Sequence, residues 1–207
     1  MKLTTSELVY INEAAKALKQ KEFILIDNVM IGIDNIQNIL TYVLLDNNFF
    51  INHLNGIIIN QRQLSAFIKT LSIESDFQFD FIDNIAKITT ISGGELSMVF
   101  NKPIAELACD KFKYAISLEG SIQTVIDESE IPDILLRIQS MKSADGAIGI
   151  NYNGYYMTLF SSLLPTTKTD KLYVKILQPL IQHMFISKFH IKKKKFDIIT
   201  YVNYLKV

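Results

Sequence analysis

Apolar residues recur with helical spacing near the start of the chain. Leu8, Ile11, Ala15 and Leu18 share one stripe of the segment from Ser6 to Lys21, and Glu13, Lys16, Gln20 and Lys21 project on the other side. The same spacing returns from Gln61 to Leu71 with Leu64, Phe67, Ile68 and Leu71. Asn60 precedes that run and is suited to accept an unpaired backbone N–H of its first turn. A third helical run carries Ile131, Ile134, Leu135 and Ile138, with Ser129 as the expected cap and Pro132 in the first turn, where a missing N–H is harmless. Strand patterns fill the intervals. Phe23 to Ile26, Asp27-Asn28 and Val29 to Ile31 predict a tight hairpin, and Ile39 to Leu45 and Phe49 to Ile51 predict short strands. Phe77, Phe79 and Phe81 alternate with Gln78, Asp80 and Ile82, followed by strands at Ile85 to Ile91 and Glu95 to Phe100. Ile148 to Ile150, Asn153-Gly154 and Tyr155 to Phe160 give the clearest hairpin. Toward the end, Leu177, Leu180, Ile181, Met184 and Phe185 fit a helix, but Met184 to Ile186 fits a strand equally, and then a short helix covers Ser187 to Lys193. Phe196 to Val202 reads as a strand in both cases.

Two of these stretches are one unit written twice. Gly56 to Asn60, the helix with Leu64, Phe67, Ile68 and Leu71, and a strand–turn–strand through Asp83-Asn84 form the first copy. Thr124 to Asp127, the helix with Ile131, Ile134, Leu135 and Ile138, and a strand–turn–strand through Asn153-Gly154 form the second. The helix positions superpose at an offset of 67 residues and the turns after a three-residue slip. The pattern breaks at Asn101-Lys102-Pro103, and the stretch from there to about Gly120 has no clear period. We therefore expect an α+β chain with a first domain at 1–103, an interdomain connector at 104–120 and a second domain at 121–207.

Composition narrows the classes. The 207 residues are 49% hydrophobic, enough for one sizeable core or two smaller domains, and Lys plus Arg balance Asp plus Glu at 21 each. That balance excludes a general polycation but not a local basic surface. The single cysteine, Cys109, allows no internal disulfide and is expected to be a small buried hydrophobe. No apolar signal core opens the chain and no run is long enough to cross a bilayer, so an intracellular, cytoplasmic protein without a membrane partner is expected.

Catalytic motifs are missing from the sequence. There is no P-loop, dinucleotide turn or nucleophile elbow, and Gly93-Gly94 between two strands reads as a turn. His53, His183 and His190 lack metal-ligand spacing, and acids such as Asp80, Asp83, Asp127, Glu128 and Glu130 sit at turns and caps. Neither an enzyme, a metal nor a cofactor is expected. The basic side chains carry more information. Arg62 and Lys69 lie one heptad apart, almost opposite their helix's apolar stripe; Lys16 and Lys21 flank the exposed face of the first helix. Arg137 lies away from Ile134 and Ile138, and Lys192 to Lys195 is the one dense basic run. Solvated helix faces explain such residues without any partner. The alternative is a set of faces converging on nucleic-acid phosphates, with Lys16, Lys21, Arg62, Lys69, Arg137, Lys192 and Lys193 as the candidates.

The duplicated unit, the mid-chain connector, the opening Met1-Lys2-Leu3 before an amphipathic helix, the hairpin from Phe23 to Ile33, the strand-to-helix segment Gly56 to Leu71 and the second opening segment Thr124 to Met141 resemble the DNA sliding clamp family, in its two-domain phage and proliferating-cell-nuclear-antigen-like form. The resemblance implies two duplicated clamp domains in a homotrimeric ring, with antiparallel sheets outside and amphipathic helices inside. It implies a processivity factor that encircles double-stranded DNA without sequence preference and tethers a replicative polymerase, with a clamp loader as a further partner. It also implies a partner-peptide pocket beside the connector, for which Ile36, Ile39, Tyr42, Ile104 and Leu107 are the matching residues. A non-enzymatic structural or assembly protein, such as a virion component, is the other reading.

Overall fold

The computed structural model describes residues 4–33, 39–46, 56–71, 77–90, 93–140, 147–160, 163–165, 167–178 and 186–202. Contacts divide the chain into two units, Met1–Asp34 with Tyr42–Asp110, and Asn35–Thr41 with Lys111–Val207.

The first unit opens with helix α1 (Thr5–Leu18). Thr4 and Glu7 form a reciprocal capping box, which satisfies two of the orphan donors of the first turn. Lys19, in the left-handed conformation, ends the helix ahead of the expected Lys21. Strands β1 (Glu22–Ile26) and β2 (Val29–Gly32) form the expected hairpin, with Asp27 taking the positive φ of the turn. Next come β3 (Ile39–Leu44), β4 (Ile57–Asn60), α2 (Gln61–Ile68), β5 (Phe77–Ile82), β6 (Ile85–Thr90) and β7 (Glu95–Phe100). Within this unit the strands run β5-β6-β7-β4-β1-β2-β3, and the described pairs are antiparallel. Asn60 caps α2 as its position predicts, accepting from the N–H groups of Arg62 at 3.0 Å and Gln63 at 3.2 Å. Leu8, Ile11, Ala15 and Leu18 of α1 are buried, as are Leu64 and Phe67 of α2, so both apolar stripes form core. Gly94 is closely packed while Gly93 is open: a Cβ on Gly94 would stand 2.8 Å from Thr70 Oγ1 and 3.0 Å from Thr90 Oγ1.

The stretch expected to be an irregular connector is mostly helix α3 (Lys102–Ser117), followed by a 3-10 turn at Leu118–Ser121. Asn101 Oδ1 accepts from Ile104 N at 3.2 Å and starts it. Its period is hard to see in the sequence because the buried positions are the small residues Ala105, Ala108 and Ala115, while the large Leu107 and Ile116 are exposed.

The second unit contains β8 (Ile122–Val125), α4 (Ile131–Ser140), β9 (Ala147–Tyr152), β10 (Tyr155–Phe160), β11 (Lys171–Leu177), β12 (Ile186–Lys192) and β13 (Asp197–Val202). Strands β13-β12-β11-β8 are neighbours in that order, and β9 and β10 form a separate pair. Ser129 is not the cap of α4. Its own N–H donates to Asp127 Oδ1 at 2.8 Å, and the helix begins after Glu130, which Tyr152 holds from β9. The helix over Ser187 to Lys193, one of the two readings of this stretch, is overturned: it is strand β12, paired along its length with β11. Alternation of Lys188, His190 and Lys192 with Phe189 and Ile191 produces a strand with one dry face. The readings for Phe49 to Ile51, Leu180, Ile181, Met184 and Phe185 lie outside the described residues.

The duplication is visible in the connectivity. Strand β4 leads into α2, and the third strand after that helix, β7, returns to pair antiparallel with β4. Strand β8 leads into α4, and the third strand after it, β11, returns to pair antiparallel with β8. The hairpin inside each copy has two six-residue strands joined by two residues, Asp83-Asn84 or Asn153-Gly154. Leu64 and Ile131, and Phe67 and Ile134, are buried as equivalent pairs, while Ile68 and Leu135 are both half-buried.

Candidate nucleic-acid interface

In the first unit, α1 and α2 lie side by side because polar groups lock them together. Gln61 Nε2 donates to Ser65 Oγ at 2.8 Å, and Ser65 Oγ donates to Asn12 Oδ1 at 2.7 Å, which satisfies the buried Asn12 amide oxygen. Gln61 N also donates to Lys21 O at 2.9 Å, so the end of α1 adjoins the start of α2 and the helices run in opposite directions. With their apolar stripes buried, the outward faces carry Lys16 from α1, Lys21 from the following turn, and Arg62 and Lys69 from α2, all exposed. Seven residues of helix separate Arg62 from Lys69, a rise of about 10 Å. Glu13 shares the exposed side of α1, so this face is mixed in charge with a basic excess.

The second unit spreads its basic residues differently. Arg137 on α4 pairs with Asp133 one turn earlier at 2.9 Å, and both are exposed. Leu136, 65% exposed, stands where Lys69 stands in the first copy. Lys193 is drawn into an ion pair with Asp170 at 2.6 Å, both side chains nearly buried, and Asp170 also accepts from Thr167 N and Oγ1. That arrangement serves the loop before β11 rather than a diffuse phosphate contact. Lys192 is exposed on β12, on the strand face opposite Phe189 and Ile191. Helix α4 packs against β11, and its stripe of Ile131, Ile134 and Ile138 is buried, as is the sheet face built from Leu172, Val174, Ile176, Phe189 and Ile191. Lys192 and Arg137 therefore belong to different surfaces.

A polar cluster that sequence reasoning missed stands on Lys192's side of that sheet. Glu119, in the 3-10 turn, accepts from Lys188 and from Tyr201 Oη, the latter at 2.6 Å, and the Lys188 ammonium lies 5.7 Å from the Tyr201 ring centre. The partners are 82 and 69 residues from Glu119, so no local pattern marks them. Burial pushes the Glu119 carboxyl up, but the hydrogen bonds from Lys188 and Tyr201, with the Lys188 and Lys175 charges, outweigh it and hold the group below its ordinary 4.5. A carboxyl depressed on folding contributes stability that is present above its unfolded value and is lost as pH falls through its folded value. Glu119→Gln is expected to lower stability by about 2 kcal/mol at neutral pH, because Lys188 is left buried without its anion. The same variant should lose less stability than the parent as pH falls below 4.5, which urea titrations at pH 7 and pH 3.5 would measure.

Of the residues matched to a partner-peptide pocket, Leu107 is 55% exposed on α3, Ile104 and Ile39 are half-buried, and Tyr42 is buried in β3. Ile36 lies outside the described residues. Among the described residues, no group of three or more His, Cys, Asp and Glu is placed to hold a metal, and no helix is long and apolar enough to cross a membrane.

No protein-family model matches the chain, and no curated protein matches it in sequence. Solved structures similar to it include a PCNA2–PCNA3 complex from Sulfolobus tokodaii, at 11% identity over 98% of this chain and 97% of that one, with a TM-score of 0.41. Proliferating cellular nuclear antigen from Entamoeba histolytica is similar at 12% identity over 98% and 96%, with a TM-score of 0.42. The Helicobacter pylori beta clamp bound to a DNA ligase peptide is similar at 12% identity, with a TM-score of 0.46, and the chain spans 63% of its length.

Proposed function

We propose that this protein is a DNA sliding clamp of the phage type, a homotrimeric ring that holds duplex DNA topologically and tethers a polymerase. The observation that carries the reading is the duplication. The same strand–helix–hairpin–strand unit occurs twice, with the returning strand paired to the first in each copy. The exposed basic residues of α1 and α2, opposite their buried stripes, supply the sequence-independent contact with phosphates that sliding needs. In this reading Lys16, Lys21, Arg62 and Lys69 are the principal DNA-facing residues and Arg137 adds a weaker contact from the second unit. Lys193 is left to its ion pair. Edge strands pairing head to tail close such a ring and cover backbone groups that otherwise invite aggregation. The exposed Leu107 with Ile104 on α3 is the proposed anchorage for polymerase and loader peptides. The protein itself makes and breaks no bond.

Native mass spectrometry at micromolar concentration tests the assembly. A species of three 23.6 kDa chains is expected, and monomer alone across the concentration range contradicts the ring.

A further inference from the structure

The second unit carries a row of basic residues on one sheet face, exposed at Lys171 and Lys192 and half-buried between them. Strand alternation puts Lys171, Tyr173 and Lys175 of β11 on one face and Leu172, Val174 and Ile176 on the dry one. Lys188, His190 and Lys192 of β12 share the first face, and the antiparallel register sets them directly opposite. Lys171 faces Lys192, Tyr173 faces His190, and Lys175 faces Lys188. Two like-charged rungs thus flank an aromatic rung whose rings lie 5.7 Å apart. Like charges directly across two strands repel and weaken a sheet, and the other side of β12 offsets only part of this, with Asp197 set across from Lys192 and Glu119 beside Lys188.

Nearby acids neutralise only part of the charge. Glu119 takes Lys188 and also feels the Lys175 charge, Asp197 Oδ2 lies 3.0 Å from His190 Nε2, and Asp170 takes Lys193. Among the described residues, Lys171 and Lys192 have no ion-pair partner, and both are exposed. Lys194, in the turn after β12, extends the same end.

We propose that this face binds single-stranded nucleic acid without sequence preference, Lys171, Lys175 and Lys192 contacting phosphates and Tyr173 stacking a base. A row of cations with an aromatic between them is the combination that single strands use, because every base has a π face. An acidic peptide has no use for the Tyr173 ring, and a duplex keeps its bases stacked away from it. Lys171 and Lys175 stand about 13 Å apart along the strand, at a rise of about 3.3 Å per residue, room for a few nucleotides. No residue is shared with the α1–α2 face, so one binding mode can fail without the other.

Fluorescence anisotropy of the full chain with a labelled oligothymidylate, from low to moderate salt, tests the proposal. The parent should bind, and Lys171→Ala with Lys192→Ala should weaken binding at least about tenfold and reduce the salt slope by about 0.7 per lost phosphate contact. Tyr173→Ala should weaken it by about fivefold or more. Melting temperatures of the lysine variants should stay level or rise, since each substitution relieves an opposed pair. Arg62→Glu with Lys69→Glu should weaken oligothymidylate binding less than Lys171→Ala with Lys192→Ala does. The proposal is overturned by a parent that does not bind, by lysine variants that bind like the parent, or by binding that ignores Tyr173→Ala and is displaced equally by polyglutamate, the mark of an acidic-peptide surface.

Discussion

Reversing charge at Lys16, Arg62 and Lys69 together is expected to reduce retention on duplex DNA by on the order of 100-fold, through loss of three phosphate contacts and added repulsion. The slope of binding against salt should fall by about 0.9 for each contact removed. Folding should survive, because all three side chains are exposed opposite buried stripes and surface changes of this kind usually shift stability by within about 0.5 kcal/mol. Arg137→Glu should have a smaller effect on retention, since its guanidinium is already shared with Asp133. Retention measured by gel shift or surface binding, with circular dichroism as the folding control, checks both statements. Unchanged retention in the triple variant would remove the α1–α2 face from the DNA path.

Truncating the duplicated helix anchors should be far more damaging to the fold. Phe67, 3% exposed, packs its ring 6.3 Å from that of Phe77, and Ile134, 2% exposed, occupies the equivalent place in the second copy. Phe67→Ala is expected to cost about 3–5 kcal/mol and Ile134→Ala about 2–5 kcal/mol, from lost transfer energy and the cavity left behind. Either is a large share of a total stability of about 5–15 kcal/mol. Leu136→Ala, at an exposed position on the same helix as Ile134, should change stability by less than about 0.5 kcal/mol. Urea denaturation of the three variants distinguishes a repeated core helix from a coincidence of spacing. Equal losses for Ile134→Ala and Leu136→Ala would mean that the stripe is misassigned.

What was legible in the sequence was local. Stripes of large apolar residues at helical spacing marked α1, α2 and α4, Asn60 marked a cap, and Asp27-Asn28, Asp83-Asn84 and Asn153-Gly154 marked tight turns, because each signal is complete within a few residues. Helix α3 was missed because alanines line its buried side and give no contrast with the polar positions. Strand β12 is not fixed by the sequence, which allows a helix over Ser187 to Lys193 as one of two readings, because the register with β11 that makes Lys188, His190 and Lys192 one face is a tertiary fact. The same reason limited the site. Charges on a helix can be placed against that helix's own stripe, so Arg62 and Lys69 could be assigned to an outward face. Lys192 and Lys193, adjacent in sequence, end in different environments that only the sheet and Asp170 define.

The central claim is topological holding, and retention on closed circular duplex against the same duplex linearised measures it most directly. After assembly on DNA, the protein is expected to remain on the circle through a high-salt wash and to leave when one cut opens it. Equal loss from both forms at high salt, or equal retention on both, would contradict a ring around DNA.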